Sequence, residues 1–290
     1  MTIQNVTVIG SGLMGRGIAQ VAALGGFRTT MVDISDEILQ AALRSIRGEM
    51  EKGISLGKLS PEQRDRALEA LTLEKNLEKA AQGADLAIEA VPEDMKMKIE
   101  TFGRLDKAAP AQAVLASNTS SLSITEMAAA TGRPARFLGM HFFNPVHKMK
   151  LLEIVTGLET SGETVQIAEE VGKQMGKETV VVKESPGFIT SRINAMIGNE
   201  AFYMLQEGVA SAGDIDKAVK LGLNHPMGPF EMVDLVGLDT RLHVLEYLHQ
   251  TLGDKFRPCP LMVQYVKAGR LGRKAGRGVF DYAKPVKGDK

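Results

Sequence analysis

Residues 6–17 read VTVIGSGLMGRG, and Asp33 closes a second apolar run, TTMVD. An apolar strand ending in Gly10-x-Gly12-x-x-Gly15 and opening into a helix is built to hold a pyrophosphate. Gly10 permits the tight turn, Gly12 lets the backbone approach the phosphates, and Gly15 lets helix and strand pack closely. The helix start, with Leu13 and Met14, supplies unpaired N–H groups and partial positive charge. Asp33 lies 18 residues past Gly15, at the expected end of the second strand. Its carboxylate suits both hydroxyls of an adenosine ribose and repels a 2′-phosphate, which favours NAD over NADP. A lone glycine string is weak, because kinases carry a similar one. Here strand, helix (13–24), strand (28–32) and acid all follow in order, and no HRD or DFG string appears.

The rest of the chain extends this pattern. Apolar runs recur at 84–91, 113–117, 136–143, 151–155 and 178–182, with helical periodicity at 36–51, 61–71, 94–108, 123–130 and 162–175. Such alternation predicts an α/β fold, a Rossmann-type doubly wound sheet over residues 1–185. Gly53 and Gly57 break the stretch 36–71 and Pro61 restarts it, so a helical hairpin projecting from the sheet domain is expected there. The strands near 151–155 and 178–182 follow different connections, and an antiparallel direction is open for them. After Ser185-Pro186-Gly187 the pattern becomes helical at 188–208, 214–221, 228–251 and 260–268. This predicts an all-α C-terminal domain, 186–290, whose apolar content exceeds what one helical layer buries and so points to a homodimer. The tail from Lys284 is polar and reads as frayed.

With 290 residues the chain has room for two domains. Lys plus Arg and Asp plus Glu balance at 35 each, which gives no footprint for nucleic acid or membrane. No run of about 18 apolar residues exists. The chain opens directly in its first strand, and its one cysteine, Cys259, has no ligand-like neighbours. A reducing, cytoplasmic setting and no metal are expected.

Three places carry candidate chemistry. Ser117-Asn118-Thr119-Ser120-Ser121 follows a strand at the end where ligands bind in open α/β sheets. It reads either as a turn capping the next helix through Ser121 or Ser123, or as a hydroxyl donor to substrate. His141, in GMHFFNP, reads either as a satisfied core residue or as a base. Glu153, 12 residues on in KLLEIV, sits among apolar neighbours and needs a partner. His141 and Glu153 suit each other: a carboxylate that orients an imidazole and stabilises its protonated form makes a general base. His147, His225, His243 and His249 have no such context.

Together the strings VIGSGLMGRGIA, EAVPEDMKMK, LASNTSSLSI, GMHFFNPVHKMKLLEIV, SPGFITSRI, HPMGPFEMVDLVGLD and KAGRGVFDY resemble the L-3-hydroxyacyl-CoA dehydrogenase family, in particular its bacterial 3-hydroxybutyryl-CoA branch. They span essentially the whole chain in the family's order. The resemblance implies NAD-dependent, reversible oxidation of a 3-hydroxyacyl-CoA. It makes His141 the general base, Glu153 its orienting partner and Ser120 the residue that hydrogen-bonds the C3 oxygen, with Asn144 near nicotinamide and substrate. It puts Glu93, Lys98 and Lys274 near the cofactor. It has the hairpin cover coenzyme A, with Lys52 and Lys58 as candidates for its phosphates, although each also reads as a solvated surface charge. One departure concerns the substrate: many members have Asn in PGFxxNR where this chain has Ser191, and Asn194 lies one turn on. The rivals are the same chemistry on another chain such as 3-hydroxyadipyl-CoA, a hydroxy-acid dehydrogenase without coenzyme A, and a catalytically silent NAD-binding or structural protein.

Overall fold

The computed structural model describes residues 2–282, and the tail expected from Lys284 lies outside them. The chain divides into two compact units, Met1–Ser185 and Pro186–Lys290. The first is an eight-stranded sheet in the order β3-β2-β1-β4-β5-β6-β7-β8. Its strands are β1 (Asn5–Ile9), β2 (Arg28–Val32), β3 (Leu71–Glu74), β4 (Leu86–Glu89), β5 (Val114–Ser117), β6 (Phe137–Phe142), β7 (Leu151–Thr156) and β8 (Glu178–Lys183). The six from β3 to β6 are parallel, β7 pairs antiparallel with β6, and β8 runs parallel to β7. This is the doubly wound sheet expected, and the open direction of the last two strands resolves as reversed.

The order reverses between β1 and β4, and that switch point is where open α/β sheets leave a crevice at the strands' carboxyl ends. Strands β4, β5 and β6 are buried throughout, which explains their near-continuous apolar runs. The helices of this unit are α1 (Leu13–Leu24), α2 (Asp36–Ser55), α3 (Pro61–Glu69), α4 (Leu77–Ala81), α5 (Met95–Ala108), α6 (Ile124–Ala129) and α7 (Gly162–Gln174). Ser35, Ser60, Asn76, Asp94, Ser123 and Ser161 cap six of them through side-chain oxygens. Ser123, not Ser121, caps α6.

The hairpin expected at 36–71 is formed by α2 and α3, and α2 buries Leu39, Ala42, Ile46 and Met50 in the core shared with α1. Its last residue, Leu71, begins the edge strand β3, which four residues of register with β2 hold in place.

The second unit contains α8 (Thr190–Gln206), α9 (Ala212–Gly222), α10 (Pro229–Val236), α11 (Leu238–Leu252) and α12 (Pro260–Lys267) around an apolar core that includes Phe202, Phe230, Leu245 and Phe256. Among the described residues it is all-α apart from isolated bridges. The stretch 228–251 is two helices, broken at Gly237, whose φ of 105° no helix tolerates. The string GPFE has a local cause. Asp216 accepts the Phe230 and Glu231 amides at 2.8 and 2.9 Å and so caps α10, and a side chain at position 228 would overlap it.

Candidate active site

The glycine turn has the shape a phosphate cradle needs. Gly10 has φ +91°, and a Cβ there would lie 2.7 Å from the Ala90 carbonyl. A Cβ at Gly15 would overlap the Gly10 carbonyl, whereas around Gly12 nothing lies within 4 Å. The start of α1 has no side-chain cap and no acid in its first turn, so the first-turn amides of Leu13, Met14 and Gly15 are those a phosphate would take up. One oxygen of Asp33 accepts the amide and the hydroxyl of Ser11, both at 2.7 Å, and the other accepts the Ile34 amide at 2.8 Å. Asp33 also borders a cavity of about 460 Å³ with Gly10, Val32, Ile34 and Val91. These residues fit a dinucleotide with free ribose hydroxyls.

His141 and Glu153 are register partners across the antiparallel pair β6·β7. Nδ1 of His141 lies 2.7 Å from Oε2 of Glu153. His141 is 6% exposed and Glu153 fully buried. A carboxylate can only accept, which assigns the proton to Nδ1 and makes Nε2 the basic nitrogen. The Phe143 ring tilts against the imidazole at 4.4 Å between centroids.

The serine loop rests on a second buried acid. Glu89, at the end of β4, accepts Lys98 Nζ at 2.6 Å, the Val91 amide at 2.7 Å and Ser117 Oγ at 2.7 Å. Lys98 also meets Glu93 at 3.3 Å. One Glu93 oxygen accepts Thr119 Oγ1 at 2.6 Å, the Ser120 amide at 2.9 Å, Ser120 Oγ at 3.3 Å and Ser121 Oγ at 3.4 Å. Burial pushes the Glu89 carboxyl above the usual range despite Lys98. Burial also pushes Glu93 up, but Lys98, Thr119 and Ser120 together bring it below. Asn118 Oδ1 accepts the Phe142 amide at 3.0 Å, tying the serine loop to the strand end that carries His141.

The family resemblance puts Lys98 near the cofactor, and the structure turns its amine toward two acids. Its side chain is 1% exposed and spent on Glu89 and Glu93, so it offers no group to a ligand in this conformation. The sequence places it in the first turn of an amphipathic helix and gives no sign of the acid beneath. Glu89 and Lys177 are not legible as site residues, because nothing in their own segments shows which partners the fold brings to them. Lys177 is buried and donates to the carbonyls of Val146 and Met149, which holds the loop after Asn144.

Asn144 itself is exposed and, with Leu13, Arg16, Ser45, Glu49 and His147, lines a cavity of about 230 Å³ between α1, α2 and that loop. His147 lies 3.4 Å from Glu49. Burial lowers the His147 pKa, and Glu49 offsets this only in part. Lys52 and Lys58 are exposed, at the end of α2 and in the turn before α3.

In the helical unit, Ser191 and Asn194 are half-buried in the first turns of α8. Lys274 pairs with Asp239 at 2.6 Å. Asp234 accepts the Val279 and Phe280 amides and the Tyr282 hydroxyl, which anchors the string KAGRGVFDY.

Comparison with known proteins agrees with this geometry. Residues 5–185 match the model of the 3-hydroxyacyl-CoA dehydrogenase NAD-binding domain, and residues 187–282 match that of the 3-hydroxyacyl-CoA dehydrogenase C-terminal domain. A probable 3-hydroxybutyryl-CoA dehydrogenase of Bacillus subtilis is 46% identical over 97% of this chain and 98% of its own length. The 3-hydroxybutyryl-CoA dehydrogenase of Bradyrhizobium diazoefficiens is 44% identical over 98% of each chain. The crystal structure of (S)-3-hydroxybutyryl-CoA dehydrogenase from Ralstonia eutropha superposes with a TM-score of 0.95 at 43% identity, covering 98% of this chain and 100% of that one. With both domain models matched in order and near-complete relatives well above 30% identity, the chain belongs to the 3-hydroxyacyl-CoA dehydrogenase family.

Proposed function

We propose that this protein is an NAD-dependent 3-hydroxyacyl-CoA dehydrogenase acting on short chains, with 3-hydroxybutyryl-CoA as the reference substrate. The observation that carries the reading is the buried pair of His141 and Glu153 at 2.7 Å, at the carboxyl end of a sheet whose switch point carries the glycine cradle. His141 takes the proton of the C3 hydroxyl on Nε2 and returns it in the reverse direction. Glu153 fixes the ring and offsets the charge that forms. Bound NAD supplies the acceptor for the hydride leaving C3. Gly10, Gly12, Leu13, Met14 and Gly15 hold the pyrophosphate and Asp33 the ribose. Ser120 hydrogen-bonds the C3 oxygen, and Asn144 borders the reacting groups. Lys98 acts through Glu93, not by direct contact. Lys52 and Lys58 are assigned to coenzyme A, and Lys274 to the cofactor, on the family resemblance alone.

NADH oxidation with acetoacetyl-CoA tests the reading, followed by a panel of acyl chain lengths. Turnover of free 3-keto acids but not of their coenzyme A thioesters would overturn it, and so would binding of NADH without turnover. Ser191, in place of the usual Asn, favours an altered acyl range within the same chemistry.

We also propose a homodimer formed through the helical unit. Val209, Leu221 and Leu223 are exposed there, and an apolar groove of about 340 Å³ runs between α8 and α9. A sedimentation experiment showing monomer at micromolar concentration would refute this. The proposed setting is the cytoplasm: the one cysteine is buried and unpaired, and no helix among the described residues is long and apolar enough to cross a membrane.

A further inference from the structure

Ser120 has one hydroxyl proton, and the structure already gives it an acceptor. Glu93 is held rigidly: Thr119 and the Ser120 amide grip one oxygen at 2.6 and 2.9 Å, and Lys98 meets the other at 3.3 Å. Lys98 is fixed in turn by Glu89, which also secures Ser117 at the base of the loop. Ser120 Oγ lies 3.3 Å from that same Glu93 oxygen. A carboxylate only accepts, so Ser120 is the donor in this contact and shows lone pairs elsewhere. The contact is longer than the roughly 2.5–2.7 Å of a strong charge-assisted O–H···O bond, so the proton is directed but weakly held.

We propose that Glu93 is a positioning residue that turns the Ser120 hydroxyl away from the substrate, so that the resting site retains a C3 alcohol and disfavours a C3 ketone. This rests on the reading that Ser120 meets the C3 oxygen. An alcohol satisfies the Ser120 lone pairs by donating its own proton. A ketone oxygen only accepts, and must first take the Ser120 proton from Glu93. The reactive arrangement has the alcohol donating to His141 and accepting from Ser120, and reaching it turns two hydroxyl groups. As negative charge builds on the C3 oxygen, that oxygen outcompetes the 3.3 Å contact to Glu93. No covalent bond changes at Ser120 or Glu93.

The test uses complexes that cannot react. Dissociation constants are measured for 3-hydroxybutyryl-CoA with NADH present and for acetoacetyl-CoA with NAD present, in the wild type, Ser120→Ala, Glu93→Gln and the double variant. Ser120→Ala is expected to weaken the alcohol by about threefold to tenfold, one hydrogen bond, and to leave the ketone nearly unchanged. Glu93→Gln replaces a charged acceptor with a neutral one, so it is expected to tighten the ketone relative to the alcohol by a similar factor. In the Ser120→Ala background that shift is expected to vanish. Weakening of the ketone as much as the alcohol in Ser120→Ala would overturn the proposal, even if Glu93→Gln fails to fold. An equal change for both ligands in Glu93→Gln, or the same ratio shift without Ser120, would also overturn it. Wild-type turnover of acetoacetyl-CoA separates these results from failure of the functional reading, which would remove both.

Discussion

Replacing Glu153 with Gln isolates the charge of the dyad from its shape. Glutamine keeps an oxygen that can accept from Nδ1 of His141, so the ring orientation is retained. What disappears is the carboxylate 2.7 Å from the imidazole. When His141 takes the substrate proton, the two charge centres lie about 4 Å apart, and at an effective dielectric near 20 their attraction is worth about 4 kcal/mol. With the proton roughly half transferred, the transition state realises about 2 kcal/mol of this, which is about 30-fold in rate. Loss of His141 removes the base altogether, and general-base catalysis contributes about 10²–10⁴-fold. The assay is 3-hydroxybutyryl-CoA oxidation by NAD under single turnover, in the wild type, Glu153→Gln, His141→Ala and the double variant. Glu153→Gln is expected to slow the chemical step by between one and two orders of magnitude with NADH affinity unchanged. In the His141→Ala background the same substitution is expected to have almost no effect on rate. Equal losses in both backgrounds would mean that Glu153 acts on something other than the histidine, and a Glu153→Gln rate within threefold of wild type would refute the electrostatic argument.

Further outcomes follow from the same geometry. Asp33→Ser is expected to erode the preference for NADH, and an unmodified protein with higher kcat/KM for NADPH would contradict the role given to Asp33. Lys98→Met leaves Glu89 fully buried without its counter-ion and is expected to cost about 3–5 kcal/mol by urea denaturation at pH 8. Burial already raises the Glu89 pKa, so its protonated form favours the folded state: that contribution is present at low pH and lost as pH rises through the folded pKa. The penalty of Lys98→Met should therefore be smaller at pH 5 than at pH 8, and a pH-independent penalty would count against the pairing. Arg241 is 4% exposed, its Nε has no hydrogen-bond partner among the described residues, and burial brings its pKa down to about 10. Arg241→Met is expected to raise the urea midpoint, and a fall would show that the guanidinium is paired in the assembled protein. Ser191→Asn should keep activity and alter KM or chain-length preference. An unchanged substrate profile, with Asn194→Ala disturbing it, would give the positioning role to Asn194.

The parts of the site that could be read in the sequence are those whose partners are set by local geometry. Gly10, Gly12 and Gly15 declare a turn because each answers a contact within the same strand–turn–helix unit. His141 and Glu153 are legible as a pair because a carboxylate in an apolar strand demands a partner, and a 12-residue spacing suits two strands that meet antiparallel. Other parts are not legible. The four-residue strand β3 is too short for a periodic signal and exists only because β2 has an open edge. The break at Gly237 is hidden because apolar periodicity runs through it on both sides. Lys98 is expected near the cofactor from the family resemblance, but nothing nearby in sequence shows that its amine meets Glu89, nine residues earlier. Asn118 looks like any polar turn residue until β6 brings the Phe142 amide within 3.0 Å.

The two buried carboxylates show how one sheet face supports both scaffold and chemistry. Glu89, Ser117 and Gly139 form one row across β4, β5 and β6, and His141 lies two residues beyond Gly139, hence on the same face, opposite Glu153. Each acid is expensive to bury and each has a nitrogen partner, at 2.6 Å for Glu89 and 2.7 Å for Glu153. The partners differ in kind. Lys98 exchanges no proton with the substrate, and its contact with Glu89, which also accepts Ser117 Oγ, serves to fix the loop that carries Ser120. His141 takes up a proton from the substrate as the reaction proceeds, so its pairing with Glu153 becomes an ion pair only as that proton arrives. The second arrangement stabilises a state that exists only during reaction, and the first stabilises the surroundings that must not move while it does. Exchanging the partners would abolish this division: a lysine at 141 would hold Glu153 in a permanent ion pair and leave no base, while a histidine at 98 would let the serine loop respond to pH.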